Sequence, residues 1–159
     1  MKLTTKIRMV KYIAFVLMSI VVVGFTACGG TNEVLSHEEF TSRMEAEGNM
    51  VGDFTHMLQD PAIERLLIAD AGVFEVEFIV LQSQSYARSL YSYFRQNFES
   101  TRGSRSSHTE TSGADFSRFR LTSEGSFVAL TRIEHTIVIA SSSVENRDDV
   151  LAVFDLLGY

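Results

Sequence analysis

Three segments of the chain place apolar residues three or four positions apart, which is the spacing of an amphipathic helix. The first begins with a capping box formed by Ser36 and Glu39, and the second spans about residues 84–98 behind a cap at Ser83 or Ser85. The third lies near the end of the chain. We expect the aromatic stripe of the second helix to pack on a sheet. The apolar positions of the three helices are, in order, Phe40 and Met44; Tyr86, Leu90, Phe94 and Phe98; and Val150, Val153, Phe154 and Leu157.

Alternating apolar and polar residues between these helices predict β-strands. Residues 73–81 alternate clearly, and together with the apolar segment before them they predict a hairpin that turns at residues 70–72. A short helical turn after Asp60 and Pro61 is the alternative for that earlier segment. A short extended piece is expected at residues 50–55. Three further strands, joined by tight turns, form a meander at residues 116–122, 127–133 and 136–141.

Serine, threonine and glycine dominate residues 101–115, and no apolar period runs through them. Such a composition predicts a mobile surface loop. The other elements follow the order α-β-β-α-β-β-β-α inside one domain, residues 35–159. Short connections make the strands antiparallel neighbours, and the helices are expected to cover one face of the sheet. The sequence therefore predicts an α+β fold, a two-layer sandwich with three helices on an antiparallel sheet of about five strands.

The N-terminal segment has the pattern of a secretory signal peptide. Residues 12–25 carry no charge, and the residues before them include four basic residues and no acid. This run is shorter than the roughly 20 residues that a helix needs to cross the hydrocarbon core of a membrane. We therefore predict that residues 1–27 are a cleaved signal peptide and that the rest of the chain is exported.

Cys28, the only cysteine in the sequence, follows this segment directly. The residues Phe25, Thr26, Ala27 and Cys28 resemble the lipobox of bacterial lipoproteins. The resemblance implies a diacylglyceryl lipid on the sulfur of Cys28, which becomes the first mature residue, with residues 28–34 as a flexible tether. Two acyl chains give stable membrane attachment, whereas one chain binds only marginally. Ordinary secretion and an uncleaved anchor are the alternatives.

The net charge narrows the choice of partners. The full chain carries −6, and removal of residues 1–27, with their four basic residues and no acid, leaves −10. The remainder contains no lysine, which excludes a Schiff base, a Walker lysine and a lysine general base. An acidic protein is repelled by nucleic acid and by anionic lipid headgroups. We therefore expect no nucleic-acid partner and a membrane contact made through the lipid.

Longer stretches of the sequence resemble a wider group of proteins. FTSRMEAEG, VFEVEFIVLQSQSYARSLYSYF and LLGY, together with the signal peptide and the lipobox, are similar to small lipoproteins of Gram-positive bacteria, especially clostridia and their relatives. The resemblance implies an α+β domain held at the outer face of the cytoplasmic membrane. It implies no catalytic residues.

Residues suited to catalysis or metal binding are few and scattered. His56 lies between Asp53 and Asp60, but zinc ligands usually have tighter spacing or include cysteines. The sequence contains no nucleophile elbow, zincin motif or phosphate-binding loop. We expect no metal, no cofactor other than the lipid on Cys28, and no enzymatic activity.

A lipid anchor, a compact domain and the lack of a catalytic motif together predict a membrane-anchored binding module. Its partner is expected to be an envelope protein or ligand, contacted through Arg118, Arg120 and Arg132, because arginine pairs well with carboxylates and phosphates. The alternative for Arg132 is that it faces the opposite side of the sheet from its neighbours. The alternative is a small envelope hydrolase that uses carboxylates or His135, or a regulatory accessory subunit of a membrane protein.

Overall fold

A computed structural model describes residues 33–159 of the chain. The predicted signal peptide, the lipobox residues Phe25, Thr26 and Ala27, the lipidation site Cys28 and most of the predicted tether lie outside these residues. Within residues 33–159, no helix combines the length and the apolar character that a membrane span requires.

The described residues form seven strands and three α-helices. The strands are β1 (Met50–Asp53), β2 (Ile63–Asp70), β3 (Glu75–Leu81), β4 (Ser106–Ser112), β5 (Phe116–Ser123), β6 (Ser126–Ile133) and β7 (Thr136–Ser143). The helices are α1 (His37–Ala46), α2 (Gln84–Ser100) and α3 (Arg147–Leu157), with short 3-10 helices at Thr55–Met57 and Val144–Asn146.

All seven strands belong to one antiparallel sheet with the order β1-β2-β3-β7-β6-β5-β4. Helices α1 and α3 pack on one face, where Phe40, Phe78 and Phe154 are buried together. Helix α2 packs on the opposite face, where Tyr91 and Ala87 meet apolar residues of β3, β5, β6 and β7. The domain therefore has three layers, with two separate apolar cores divided by the sheet.

The predicted α+β class, the antiparallel sheet and the three helices are confirmed, but the two-layer sandwich is wrong. The sheet has seven strands instead of about five, so the element order differs, and helices cover both of its faces. The reason is visible in β7, where five consecutive residues from Thr136 to Ala140 are all buried. A continuous apolar run is typical of a strand that is covered on both faces.

Residues 101–115 contain the strand that the sequence did not predict. Strand β4 pairs with β5 from Ser106 opposite Ser123 to Ser112 opposite Ser117. It is the edge of the sheet, and six of its seven residues are exposed. An edge strand of this kind is held by its backbone hydrogen bonds to one neighbour, so it needs no apolar alternation.

The local features were predicted correctly. The hairpin between β2 and β3 turns through Gly72, whose φ of 81° suits glycine. Ser36 and Glu39 form the capping box of α1, and Ser83 caps α2 by accepting a hydrogen bond from the Tyr86 amide. The extended piece near residue 50 is β1.

Candidate functional site

Three polar residues line up across the sheet beneath helix α2. Ser112 lies opposite Ser117 in the β4–β5 ladder, and Ser117 lies opposite Arg132 in the β5–β6 ladder. Residues directly opposite each other in antiparallel strands point to the same face of the sheet. This row therefore crosses β4, β5 and β6 on the face that α2 covers.

Helix α2 brings a second polar row over the first. Arg88, Tyr91, Ser92 and Arg95 follow the spacing i, i+3, i+4 and i+7, so they form one stripe of the helix. The two rows, with Glu110 of β4, line an open cavity of about 350 Å³. We call this cavity the α2 pocket; such a volume suits a small ligand.

Arg132 lies at the base of the α2 pocket and is only 2% exposed. Its Nη1 donates hydrogen bonds to the carbonyl oxygens of Asp115 (3.1 Å) and Glu134 (3.0 Å), and its Nη2 donates to Ser117 Oγ (3.4 Å). Among residues 33–159 it forms no ion pair with a carboxylate. Its guanidinium is thus fixed in place by neutral acceptors, and the negative charge of Asp115 acts on it without an ion pair.

Tyr91 lies beside Arg132 and is 5% exposed. Its hydroxyl is buried and has no hydrogen-bond partner within the described part of the chain. Burial raises the pKa of Tyr91 well above its usual value, and the negative charge of Glu110 raises it further. The phenol therefore keeps its proton at neutral pH and can donate it in a hydrogen bond. An unpaired buried hydroxyl costs roughly 1–3 kcal/mol, so a ligand that accepts this bond relieves that cost.

Two more arginines border the α2 pocket. Arg88 is exposed, and its Nη2 donates a hydrogen bond to the carbonyl oxygen of Ala114 (2.8 Å), which joins α2 to the β4–β5 turn. Arg95 donates through Nη1 to Glu99 (3.1 Å) and to Glu110 (3.4 Å). Arg95 is thus paired twice, whereas Arg88 and Arg132 are not paired with carboxylates in the residues described.

The segment of the chain that supplies the α2 pocket is basic, whereas the rest of the domain is acidic. Residues 83–133 contain seven arginines and four acidic residues, whereas the rest of residues 33–159 contains three arginines and sixteen acidic residues. Burial lowers the pKa of Arg132, and the positive charge of Arg88 lowers it further. An anion between Arg88 and Arg132 would offset both effects, so the site is suited to a negatively charged ligand.

The structure separates the three arginines that the sequence grouped as a contact surface. Arg118 and Arg120 lie half-buried on the α1/α3 face of β5, with the Arg118 guanidinium 5.5 Å from the centre of the Phe116 ring. Arg132 is buried on the opposite face, so the three arginines do not share one surface of the sheet. Its neighbour in β5 is Ser117, and positions 117 and 118 point to opposite faces because side chains alternate along a strand.

No sequence pattern singled out Arg88, Tyr91 and Arg95 as candidate binding residues. The sequence analysis considered the aromatic stripe on the same helix and predicted that it packs on a sheet. Leu90, Phe94 and Phe98 of that stripe do pack on the sheet, whereas Tyr86 is exposed. Recognition of the polar row required β4, since Glu110 and Ser112 supply the outer wall of the α2 pocket.

Other candidate sites are less suited to binding. A cavity of about 440 Å³ lies between the end of α1, the β2–β3 turn and α3, but its walls are mainly Val73, Phe74, Val153 and Leu156, with carboxylates around them. No buried polar atom without a partner points into it in the described residues. This cavity is larger than the α2 pocket, but it is the weaker candidate for a ligand-binding site.

The histidines do not form a centre in the described residues. Within residues 33–159, no group of three or more histidine, cysteine or acidic side chains is placed to hold a metal ion. His56 lies in the first 3-10 helix and is exposed, and His135 lies in the β6–β7 turn. His135 lines neither the α2 pocket nor the cavity of about 440 Å³.

Comparisons with known proteins add no family or activity. No protein-family model matches the chain, and no curated protein matches its sequence. Among solved structures, the chain is similar to the crystal structure of a GTP binding regulator from Thermotoga maritima. The two share 9% sequence identity, the match covers 78% of this chain and 88% of that chain, and the TM-score is 0.46. A similarity at this level carries no argument, and the function of the domain has to be inferred from its own residues.

Proposed function

We propose that this chain is a lipid-anchored extracytoplasmic binding module whose domain binds a small anionic ligand, a carboxylate or a phosphate, in the α2 pocket. The observation that supports this function most is that one cavity is lined both by the buried Arg132 and by Tyr91, whose buried hydroxyl has no partner in the described residues. Both groups are donors, and both lack an anionic acceptor among residues 33–159.

The energetics favour occupation of the α2 pocket by an anion. A buried charge costs several kcal/mol in desolvation unless an opposite charge or good hydrogen bonds compensate it. Arg132 has only neutral acceptors, and the repulsion by Arg88 adds to the cost. Arginine binds carboxylates and phosphates through two parallel hydrogen bonds, which are about twice as strong as neutral ones. An anion bridging Arg88 and Arg132 therefore gains charge-assisted bonds that water provides less well.

The anchor places this site next to the membrane. In the proposed molecule a diacylglyceryl group on Cys28 holds the chain at the outer face of the cytoplasmic membrane. The segment from Cys28 to Val34 spans at most about 25 Å when extended. The residues after position 27 carry a net charge of −10, so anionic headgroups repel the domain. The lipid therefore supplies the attachment.

Replacement of the anchoring cysteine tests this part of the proposal. We expect Cys28→Ala to abolish incorporation of a fatty-acid probe and to move the protein from the membrane fraction to the medium or the extracytoplasmic soluble fraction. Metabolic labelling followed by fractionation measures both effects. A matched Ser36→Ala variant should remain labelled and membrane-bound. Unchanged labelling of Cys28→Ala would contradict lipidation at this residue.

Titration of the purified full chain with inorganic phosphate tests the binding site. We expect saturable binding to one site by calorimetry, and Arg88→Gln should weaken it by about tenfold because a charge-assisted hydrogen bond contributes roughly 1.5–3 kcal/mol. Arg105→Gln is the matched control, since it removes the same charge from an exposed residue that lies just before β4, at the opposite end of that strand from Ser112. Equal loss in the two variants would indicate a general charge effect and would contradict the site.

A further inference from the structure

Glu110 stands apart from the other groups of the α2 pocket because it can only accept hydrogen bonds. Its side chain is 35% exposed, and it lies on the edge strand β4, one pleat along the strand from Ser112 on the same face. The ion pair with Arg95, at 3.4 Å, directs its carboxylate towards α2. It therefore borders the mouth of the pocket, whereas the donors Arg132 and Tyr91 lie at the base.

The partners of Arg95 show that Glu110 is not needed to neutralise that arginine. Glu99, four residues further along α2, already pairs with the same nitrogen at the shorter distance of 3.1 Å. Glu110 thus has acceptor capacity left, since an ionised carboxylate offers about four lone-pair sites. When a ligand binds Arg88 and Arg132, its atoms nearest the mouth of the pocket would lie beside these remaining acceptor sites of Glu110.

Binding then depends on whether the ligand atoms that face Glu110 are hydrogen-bond donors or acceptors. An anion that carries only acceptors, such as sulfate or acetate, places oxygen against the Glu110 carboxylate and is repelled. An anion that also carries a hydrogen-bond donor can donate to Glu110 while its negative group binds the arginines. The donor-bearing anion gains a charge-assisted hydrogen bond to Glu110, whereas the donor-free anion meets only like charge there.

We propose that Glu110 makes the α2 pocket selective for anions that carry a hydrogen-bond donor beside their negative charge. Hydroxy acids and phosphates that retain a proton belong to this class. The proposal rests on the proposed function of the pocket as an anion site and names the ligand class for it. Glu110 acts as the specificity-determining residue, and the arginines supply the affinity.

Two pairs of probes test the selectivity in the purified full chain. Inorganic phosphate retains a proton at neutral pH and sulfate does not, although both are tetrahedral; glycolate carries a hydroxyl that acetate lacks. In the pair that resembles the natural ligand, calorimetric titration should show about tenfold or more tighter binding of the donor-bearing probe, phosphate over sulfate or glycolate over acetate, because only that probe forms a charge-assisted hydrogen bond to Glu110. The pair with the greater preference identifies whether the natural ligand is a phosphate or a hydroxy acid.

Variants of Glu110 assign the preference to this side chain. Glu110→Gln, whose amide can donate, should reduce the preference to less than about threefold and should increase the affinity for sulfate or acetate. Glu110→Asp should keep the preference. Glu99→Gln is the matched control, because it removes the other carboxylate on Arg95 but does not line the pocket, and it should keep the preference too. Thermal unfolding midpoints show that each variant is folded.

The outcomes separate this inference from the proposed function. Equal binding of the donor-bearing and donor-free probes by the unaltered chain, or an unchanged preference in Glu110→Gln, would overturn the role of Glu110 and leave the anion site intact. The absence of saturable binding for all four probes would overturn the proposed function and this inference together.

Discussion

Replacement of Phe78 by alanine is expected to lower the free energy of unfolding by about 3–5 kcal/mol, the range measured for large aromatic residues in protein cores. Phe78 is fully buried in β3, near the centre of the sheet. Its ring stacks on Phe40 of α1 with the centroids 4.8 Å apart and meets the Tyr159 ring edge-on at 6.5 Å. The substitution therefore removes contacts to two other elements and leaves a cavity between the sheet and α1.

Urea denaturation followed by circular dichroism measures this change. Tyr86→Ala is the control, since Tyr86 is also aromatic but 52% exposed on α2, and its loss should change stability by about 0.5 kcal/mol or less. A Phe78→Ala effect below about 1 kcal/mol would contradict the packing of α1 on this face of the sheet, because burial of this ring alone contributes more.

Loss of Arg132 is expected to have the largest effect on ligand binding. Arg132→Met should weaken phosphate binding by about 10- to 100-fold, in line with roughly 1.5–3 kcal/mol for a hydrogen bond to a charged group. Methionine fills most of the buried volume without a charge. Because the carbonyl oxygens of Asp115 and Glu134 lose their donor, we expect moderately lower stability as well.

Arg132→Lys separates charge from geometry. Lysine keeps a positive charge, but it cannot bond two backbone carbonyls and a ligand in the fixed plane of a guanidinium. We expect its phosphate affinity to lie between those of the unaltered chain and Arg132→Met. Calorimetry at constant ionic strength measures the series, and unfolding midpoints verify that each variant is folded. Equal affinity in all three proteins would show that the base of the α2 pocket does not bind the anion.

The elements that could be predicted from sequence are those that local interactions define. The capping box at Ser36 and the glycine turn at Gly72 specify their neighbours directly, so α1 and the β2–β3 hairpin were placed correctly. Strand β4 has no such local pattern, because its polar residues form a strand only through pairing with β5. The packing of α2 on the second face of the sheet was missed for a related reason, since a half-buried strand and a fully buried one differ mainly in the residues between the apolar positions.

The candidate site could be predicted only in part. Arg132 was singled out, yet its burial depends on α2 lying over that side of the sheet, which the sequence did not reveal. The pocket itself comes from the register that sets Ser112, Ser117 and Arg132 in one row. A shift of one residue in either ladder would turn its side chains to the other face. Such a site is a property of long-range pairing and is not a motif in the sequence.

The most direct test of the anion site observes the arginine side chains themselves during binding. We would follow the guanidinium resonances of the purified full chain by NMR while phosphate is added. The proposal predicts saturable shifts for Arg88 and Arg132 and none for Arg43, which donates to the carbonyl oxygens of Leu156 and Leu157 on the other face of the sheet. Unmoved resonances for Arg88 and Arg132, or equal movement of all three arginines, would contradict it.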